Sequence, residues 1–185
     1  MHFTLSDLVT DITQNAAESG ASLVELDVLE TPERFRFTLK DNGKGMDQDE
    51  MRRALDPFGT DGEKHPHRKV GLGIPFLIQT AEQSGGGWDL KSEKHVGTTV
   101  MAWFDVGNVD TPPVGDLPGM FRTILLFPGP REMYIRRSRK GGKELGYTVK
   151  KSELLDVLGD LDDGGSLVLL DRYLRSMEEG DEADN

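Results

Sequence analysis

The strand-like segment Arg34 to Lys40 runs straight into Asp41-Asn42-Gly43-Lys44-Gly45-Met46, and a second glycine pair, Val70-Gly71-Leu72-Gly73, stands just before the next helical stretch. Glycines at alternate positions beside a strand end remove side chains and let a flat group lie against the backbone. A glycine turn feeding a helix start leaves backbone N–H groups for anionic oxygens. Either half alone is ordinary, since Asp-Asn-Gly is a common turn and glycine pairs are frequent. Together, in this order, they favour a fold in which a strand end and a helix start border one pocket.

The flanking segments agree with that arrangement. Leu5, Leu8, Val9, Ile12 and Ala16 recur at helical spacing, Thr4 and Asp7 read as a capping box, and Gly20 stops the helix. Leu23 to Glu30 and Arg34 to Lys40 read as a hairpin joined through Thr31-Pro32-Glu33. Asn42 to Val70 is polar apart from a short helix over Asp47 to Leu55, and so long a connection marks a functional loop or lid. Gly73 opens a helix to about Ser84, with Pro75 in its first turn, and Trp88 to Ser92 with Thr98 to Val106 form a second hairpin. After the proline-rich Asp110 to Gly119, the pattern predicts a hairpin of Arg122 to Phe127 with Glu132 to Arg137, then helices over Ser152 to Leu158 and Ser166 to Met177. The division expected is a main domain over 1–108, a small α+β extension over 109–178 and a disordered acidic tail over 179–185.

Composition narrows the function classes. A chain of 185 residues suffices for one domain with a real core, or one domain and a small appendage. A net charge of −11 opposes non-specific binding to nucleic acid or anionic membrane. Without cysteine there are no disulfides and no thiolate metal sites. The N-terminus lacks a signal-like pattern and no stretch approaches a membrane span, so the expectation is a soluble, cytoplasmic protein.

Several residues carry possible chemistry. On an ideal helix Asp11, Asn15 and Glu18 share one sector beside the apolar stripe. An amide oxygen at Asn15 suits Mg²⁺, and a carboxylate one turn earlier at Asp11 suits orienting a water; a solvated helix face accounts for the same residues. Asp41 either closes a turn or accepts a hydrogen bond from an exocyclic amine such as adenine's. His65, His67, Arg68 and Lys69 form a basic cluster, read as an exposed loop or as cations for phosphate, and no further ligand accompanies the histidines to make a metal site.

As an ordered set these segments resemble the histidine-kinase-like, or GHKL, ATPases, which include gyrase B-type topoisomerases, mismatch-repair ATPases, large heat-shock chaperones, sensor histidine kinases and anti-sigma serine kinases. Asp11-Ile-Thr-Gln-Asn15-Ala-Ala is similar to the family's N box, and Asp41-Asn-Gly43-Lys-Gly45-Met46 to its first glycine box. Asp56-Pro-Phe58-Gly-Thr60 is similar to the lid entry, Gly71-Leu72-Gly73-Ile to the second glycine box, and Gly97-Thr98-Thr99-Val100 to the terminal glycine-threonine strand. The resemblance implies a two-layer α+β sandwich with a mixed sheet. It implies Mg²⁺ ligation by Asn15, adenine recognition by Asp41, and a base pocket shaped by Gly43, Gly45 and Met46. Thr98 would support Asp41 through a hydroxyl or a water, and Gly71, Leu72 and Gly73 would meet the phosphates of ATP. The lid, with Phe58 and Lys69, would fold over them.

The likeness has departures. Asp11 stands where the ATPase and anti-sigma branches usually carry glutamate, one methylene longer, which counts against hydrolysis by an activated water. The chain opens on the N-box-like helix without the phospho-accepting hairpin of sensor kinases, so a phospho-acceptor is expected on another protein. The expectation is a Mg-ATP-binding regulator that phosphorylates an unidentified partner, or else a nucleotide-gated binding module; a homodimer stays open. Arg131 to Lys151 holds eight basic and two acidic residues, a local net of +6 that leaves −17 for the rest. It reads as a docking face for an acidic partner or as a solvated edge hairpin.

Overall fold

The computed structural model describes residues 3–58 and 73–180. Helix α1 spans Leu5–Glu18 and begins at Thr4, whose hydroxyl accepts the Asp7 N–H while the Asp7 carboxylate takes the Thr4 N–H. Its stripe Leu5, Leu8, Val9, Ile12 and Ala16 is buried, and full burial of one such leucine is worth roughly 2 kcal/mol. Strands β1 (Leu23–Glu30) and β2 (Arg34–Asp41) follow, then α2 (Gln48–Leu55), α3 (Gly73–Gln83), β3 (Gly87–Glu93) and β4 (Gly97–Asp105). The second half supplies α4 (Leu117–Leu125), β5 (Glu132–Arg139), β6 (Leu145–Lys150), α5 (Lys151–Leu158) and α6 (Gly164–Glu179).

The strands make one sheet in the order β3-β4-β2-β1-β5-β6. Neighbours run antiparallel except β1 and β5, whose parallel register from Leu23↔Glu132 to Glu30↔Arg139 makes the sheet mixed. Alternation decides which face is covered. Val24, Leu26 and Val28, then Phe35, Phe37 and Leu39, point into one core with α1, α3 and α4. Arg34, Arg36 and Lys40 point the other way and are exposed, with the Arg34 guanidinium lying 4.4 Å from the centre of the Trp103 ring. Among the described residues no helix is long and apolar enough to cross a membrane.

Two expectations are corrected. Arg122 to Phe127 is not a strand: Arg122 to Leu125 belongs to α4, which starts where the Asp116 carboxylate accepts the Gly119 N–H and Pro118 occupies the first turn. Leu117, Met120, Phe121, Ile124 and Leu125, at helical spacing, are all buried. The partner of β5 is instead β6, beginning five residues after Lys140, with Ile135 opposite Val149 and Arg137 opposite Tyr147. Helix α6 also continues through Glu179, into the stretch expected to be disordered, because Arg137 and the Tyr147 hydroxyl both bind the Glu178 carboxylate. Residues 181–185 lie outside the described residues.

Part of the basic segment's charge is taken up within the fold. Arg136 bonds Glu25 and Asp27 on β1, and Arg137, with its side chain wholly buried, is clamped between Glu30 and Glu178. Arg139 and Lys143 reach backbone carbonyls at Lys143 and Glu179, and the Lys151 ammonium reaches that of Phe127.

Candidate functional site

Four segments interlock around the end of β2. Asp41 keeps the inward phase of its strand, pairs with Val24 on one side and Thr98 on the other, and is only 8% exposed. Its Oδ1 accepts the Gly43 N–H at 2.8 Å and the Ser19 hydroxyl at 3.3 Å. Burial pushes the Asp41 carboxyl above its ordinary range, against the opposing pull of the Gly43 N–H, the Ser19 hydroxyl and the Thr98 backbone N–H. The next residue, Asn42, faces the other way: its side-chain oxygen accepts the N–H groups of Ser22 and Leu23, which fixes the exit of the strand.

The glycine loop is pressed between α1 and the β3–β4 turn. The Lys44 N–H donates to the Ser19 carbonyl at 3.0 Å, and the Lys44 carbonyl accepts the His95 N–H at 2.7 Å. Met46 donates its N–H to the Ser92 hydroxyl at 2.8 Å, and that hydroxyl shares a 2.7 Å hydrogen bond with Thr98 Oγ1. At Gly45, with φ of +61°, a Cβ would sit 1.8 Å from the Glu93 carbonyl oxygen; at Gly97, with φ of +141°, it would sit 2.0 Å from that of Asp41. No side chain fits at either position, because the atoms met are backbone. Lys94 extends from the same turn to both carboxylate oxygens of Glu50 on α2, each at 2.7 Å.

Helix α1 runs along this assembly. Asn15, half-buried, lies one turn before Ser19, and a Cβ at Gly73, the first residue of α3, would come within 3.4 Å of its Nδ2. Asn15 and Ser19 therefore mark two ends of one helix edge about 6 Å apart, the first facing the start of α3 and the second facing Asp41. Asp11 is exposed one turn earlier, and Glu18 accepts a hydrogen bond from Gln14 on the helix surface.

The structure thus gathers Asp41, Gly43, Gly45, Met46 and Thr98 into one group and sets Asn15 against Gly73. Thr98 meets Asp41 through its backbone N–H, while its hydroxyl is engaged with Ser92. Phe58 is 92% exposed, away from that group. Lys69, Gly71 and Leu72, like His65, His67 and Arg68, lie outside the described residues.

Such a cradle, with a buried carboxylate beside side-chain-free backbone, suits an amine-bearing flat ring, and an amide oxygen one turn back along α1 suits a hard cation. The sequence profile of the histidine kinase-, DNA gyrase B- and HSP90-like ATPases matches residues 2–108, more than half of the chain. The chain belongs to this family. It carries the family's ATP-binding type of domain, and the mixed sheet with its helical layer is the GHKL fold. Among solved structures, one described as the crystal structure of the N-terminal domain of a DNA repair protein is similar, with a TM-score of 0.51 and 13% identity, over 89% of this chain and 58% of that one. At that identity the likeness concerns the fold alone. Because 89% exceeds what residues 2–108 can supply, the likeness extends into the α4-to-α6 half of the GHKL chain.

Three residues at this site were not singled out from the sequence: Ser19, Ser92 and Lys94. Ser19 was legible in principle, four residues after Asn15 on the same helix edge. Ser92 was too, since it keeps the inward phase of Trp88 and Leu90. Lys94 sits in a turn and carries no periodic signal.

Proposed function

We propose that this protein binds Mg-ATP between α1, the Gly43–Met46 loop and the β3–β4 turn, with Asp41 accepting a hydrogen bond from the adenine amino group. The observation that carries this is the buried Asp41 carboxylate, held by backbone and hydroxyl donors beside backbone that admits no side chain. Asn15 supplies an amide oxygen to Mg²⁺, and the bound metal offsets phosphate charge. Gly73, at the start of α3, belongs to the phosphate end, with Gly71, Leu72 and Lys69 assigned there by family resemblance.

The nucleotide then serves a regulatory role, with phosphoryl transfer to a partner protein in trans as the favoured chemistry. Asp11, one methylene shorter than glutamate, counts against hydrolysis by an activated water and leaves phosphoryl transfer open. A second reading, a nucleotide-gated binding module, draws support from α1 itself. The same helix that carries Asn15 and Ser19 takes backbone hydrogen bonds from Leu5 and Ser6 to Pro113 and Val114, and packs on α4. Movement at the site would therefore be felt in the second half of the molecule.

Calorimetry with Mg-ATP tests the binding: wild type gives heat and Asp41→Asn gives little. A wild type without heat ends both readings. Incubation with γ-labelled ATP and candidate partners separates them, since label on a partner supports the kinase and tight binding without label supports the gated module.

A further inference from the structure

Gly43 lacks a side chain for a reason other than room for a ligand. A Cβ there would lie 1.9 Å from Ser19 Oγ and 2.6 Å from Ser19 Cβ, so the space is already filled by Ser19. The Ser19 hydroxyl has one proton, and it faces two acceptors, the Ala16 carbonyl at 2.7 Å and Asp41 Oδ1 at 3.3 Å. The Gly43 N–H approaches the same Oδ1 at 2.8 Å. Oδ2 takes neither of these donors.

An aspartate's terminal torsion is broad and nearly two-fold, so a carboxylate at a strand end swings unless its oxygens are held. The Gly43 N–H and the shared Ser19 proton on Oδ1, with the Thr98 backbone N–H also drawn to this carboxylate, limit that freedom and bias the direction of Oδ2. We infer that Ser19 is a positioning residue of the nucleotide site, which with the Gly43 N–H holds Oδ1 of Asp41, aims Oδ2 at the base, and so sets a preference for purines with an exocyclic amine. This rests on the reading that Asp41 contacts adenine. A purine with a carbonyl at that position presents lone pairs to Oδ2 and is rejected more strongly the more firmly Oδ2 is aimed.

The test compares Mg-ATP with Mg-inosine triphosphate, which has a carbonyl in place of the amine, on wild type and Ser19→Ala. Ser19 closes α1 at φ −75° and ψ 0°, a conformation open to alanine, and the native Cβ is kept. Using both nucleotides on one sample cancels any inactive fraction, and thermal melting of the free protein checks the fold. Wild type should prefer ATP. Ser19→Ala should weaken ATP roughly three- to tenfold, the worth of one ordinary hydrogen bond, and change inosine triphosphate by less than about twofold. A Ser19→Ala protein that loses both nucleotides by the same factor, or neither, overturns the inference while leaving ATP binding intact. A wild type that binds both equally overturns the reading of Asp41 itself, before any variant is made. Ser19→Gly repeats the hydroxyl deletion if the alanine protein melts early.

Discussion

Asp41, the residue proposed to meet adenine, carries a cost in stability. Its carboxyl is held above the ordinary value of 3.8 chiefly by burial, so the folded chain binds that proton more tightly than the unfolded chain does. Between the ordinary and the raised values the folded state carries the extra proton, and stability falls as pH rises through that window; above it the full penalty remains. Asp41→Asn keeps an acceptor for the Gly43 N–H without the buried charge. The variant should therefore melt higher than wild type at neutral pH and lose the advantage on acidification, as thermal midpoints from about pH 3 to 7 will read. An advantage that stays flat with pH would assign the gain to something other than this carboxylate. Of the same group, Asp41, Gly43 and Gly45 were legible because a strand end followed by alternate glycines leaves a mark, while Met46 and Thr98 entered only through the family resemblance. The spacing of Ser19 from Asn15 marks only a shared helix edge, and its contact with Asp41, far away in sequence, could not be read from it.

Helix α2, which also meets α3, illustrates an element tied to the sheet by a side-chain contact. Asp47 and Glu50 form a capping box, yet none of its residues is buried. Glu50 is held to the β3–β4 turn by Lys94, with both side chains about one-third exposed. Such a solvated pair does little for global stability but can matter for a helix without a core. Lys94→Met should speed hydrogen exchange across α2 while the amides of β1 and β2 keep their protection; unchanged exchange in α2 would show that other contacts hold it. The elements read correctly from sequence, helices α1, α2, α3, α5 and α6 and the first two hairpins, are those where period, capping and turn chemistry agree. Arg122 to Phe127 misled because a short apolar run suits a strand and a buried helix equally, and only the Asp116 cap and packing against α1 and α6 decide. Strand β6 was missed because Gly146 and flanking lysines dilute its alternation of Leu145, Tyr147 and Val149.

Across the whole molecule, one arginine joins parts far apart in sequence. Arg137 on β5 binds Glu30 on β1 and Glu178 on α6, and Tyr147 on β6 adds its hydroxyl to Glu178. Burial and the Glu178 carboxylate keep the Tyr147 phenol protonated. Removing the guanidinium would leave two carboxylates facing each other without a counter-charge. Arg137→Met should cost about 3 kcal/mol, read as a lowered urea midpoint, with α6 the first element to lose protection. A loss below about 0.5 kcal/mol would mean that water replaces the arginine without penalty. Arg136 and Arg137, two of the eight basic residues of the stretch Arg131 to Lys151, compensate acidic residues of β1 and α6 within the fold.

The sequence by itself determined the local pieces: the capped amphipathic α1, the hairpin ending in Asp41, the glycine loop, and the family to which they belong. Periodicity, capping and left-handed glycine positions act over a few residues and leave marks that can be read in order. The tertiary structure alone decided that β5 lies parallel to β1, that Arg137 ties Glu30 to Glu178, and that Ser19 fills the space Gly43 leaves beside Asp41. Those contacts join residues brought together by closure of the sheet and by helix packing, and nothing in the spacing of either partner encodes the other.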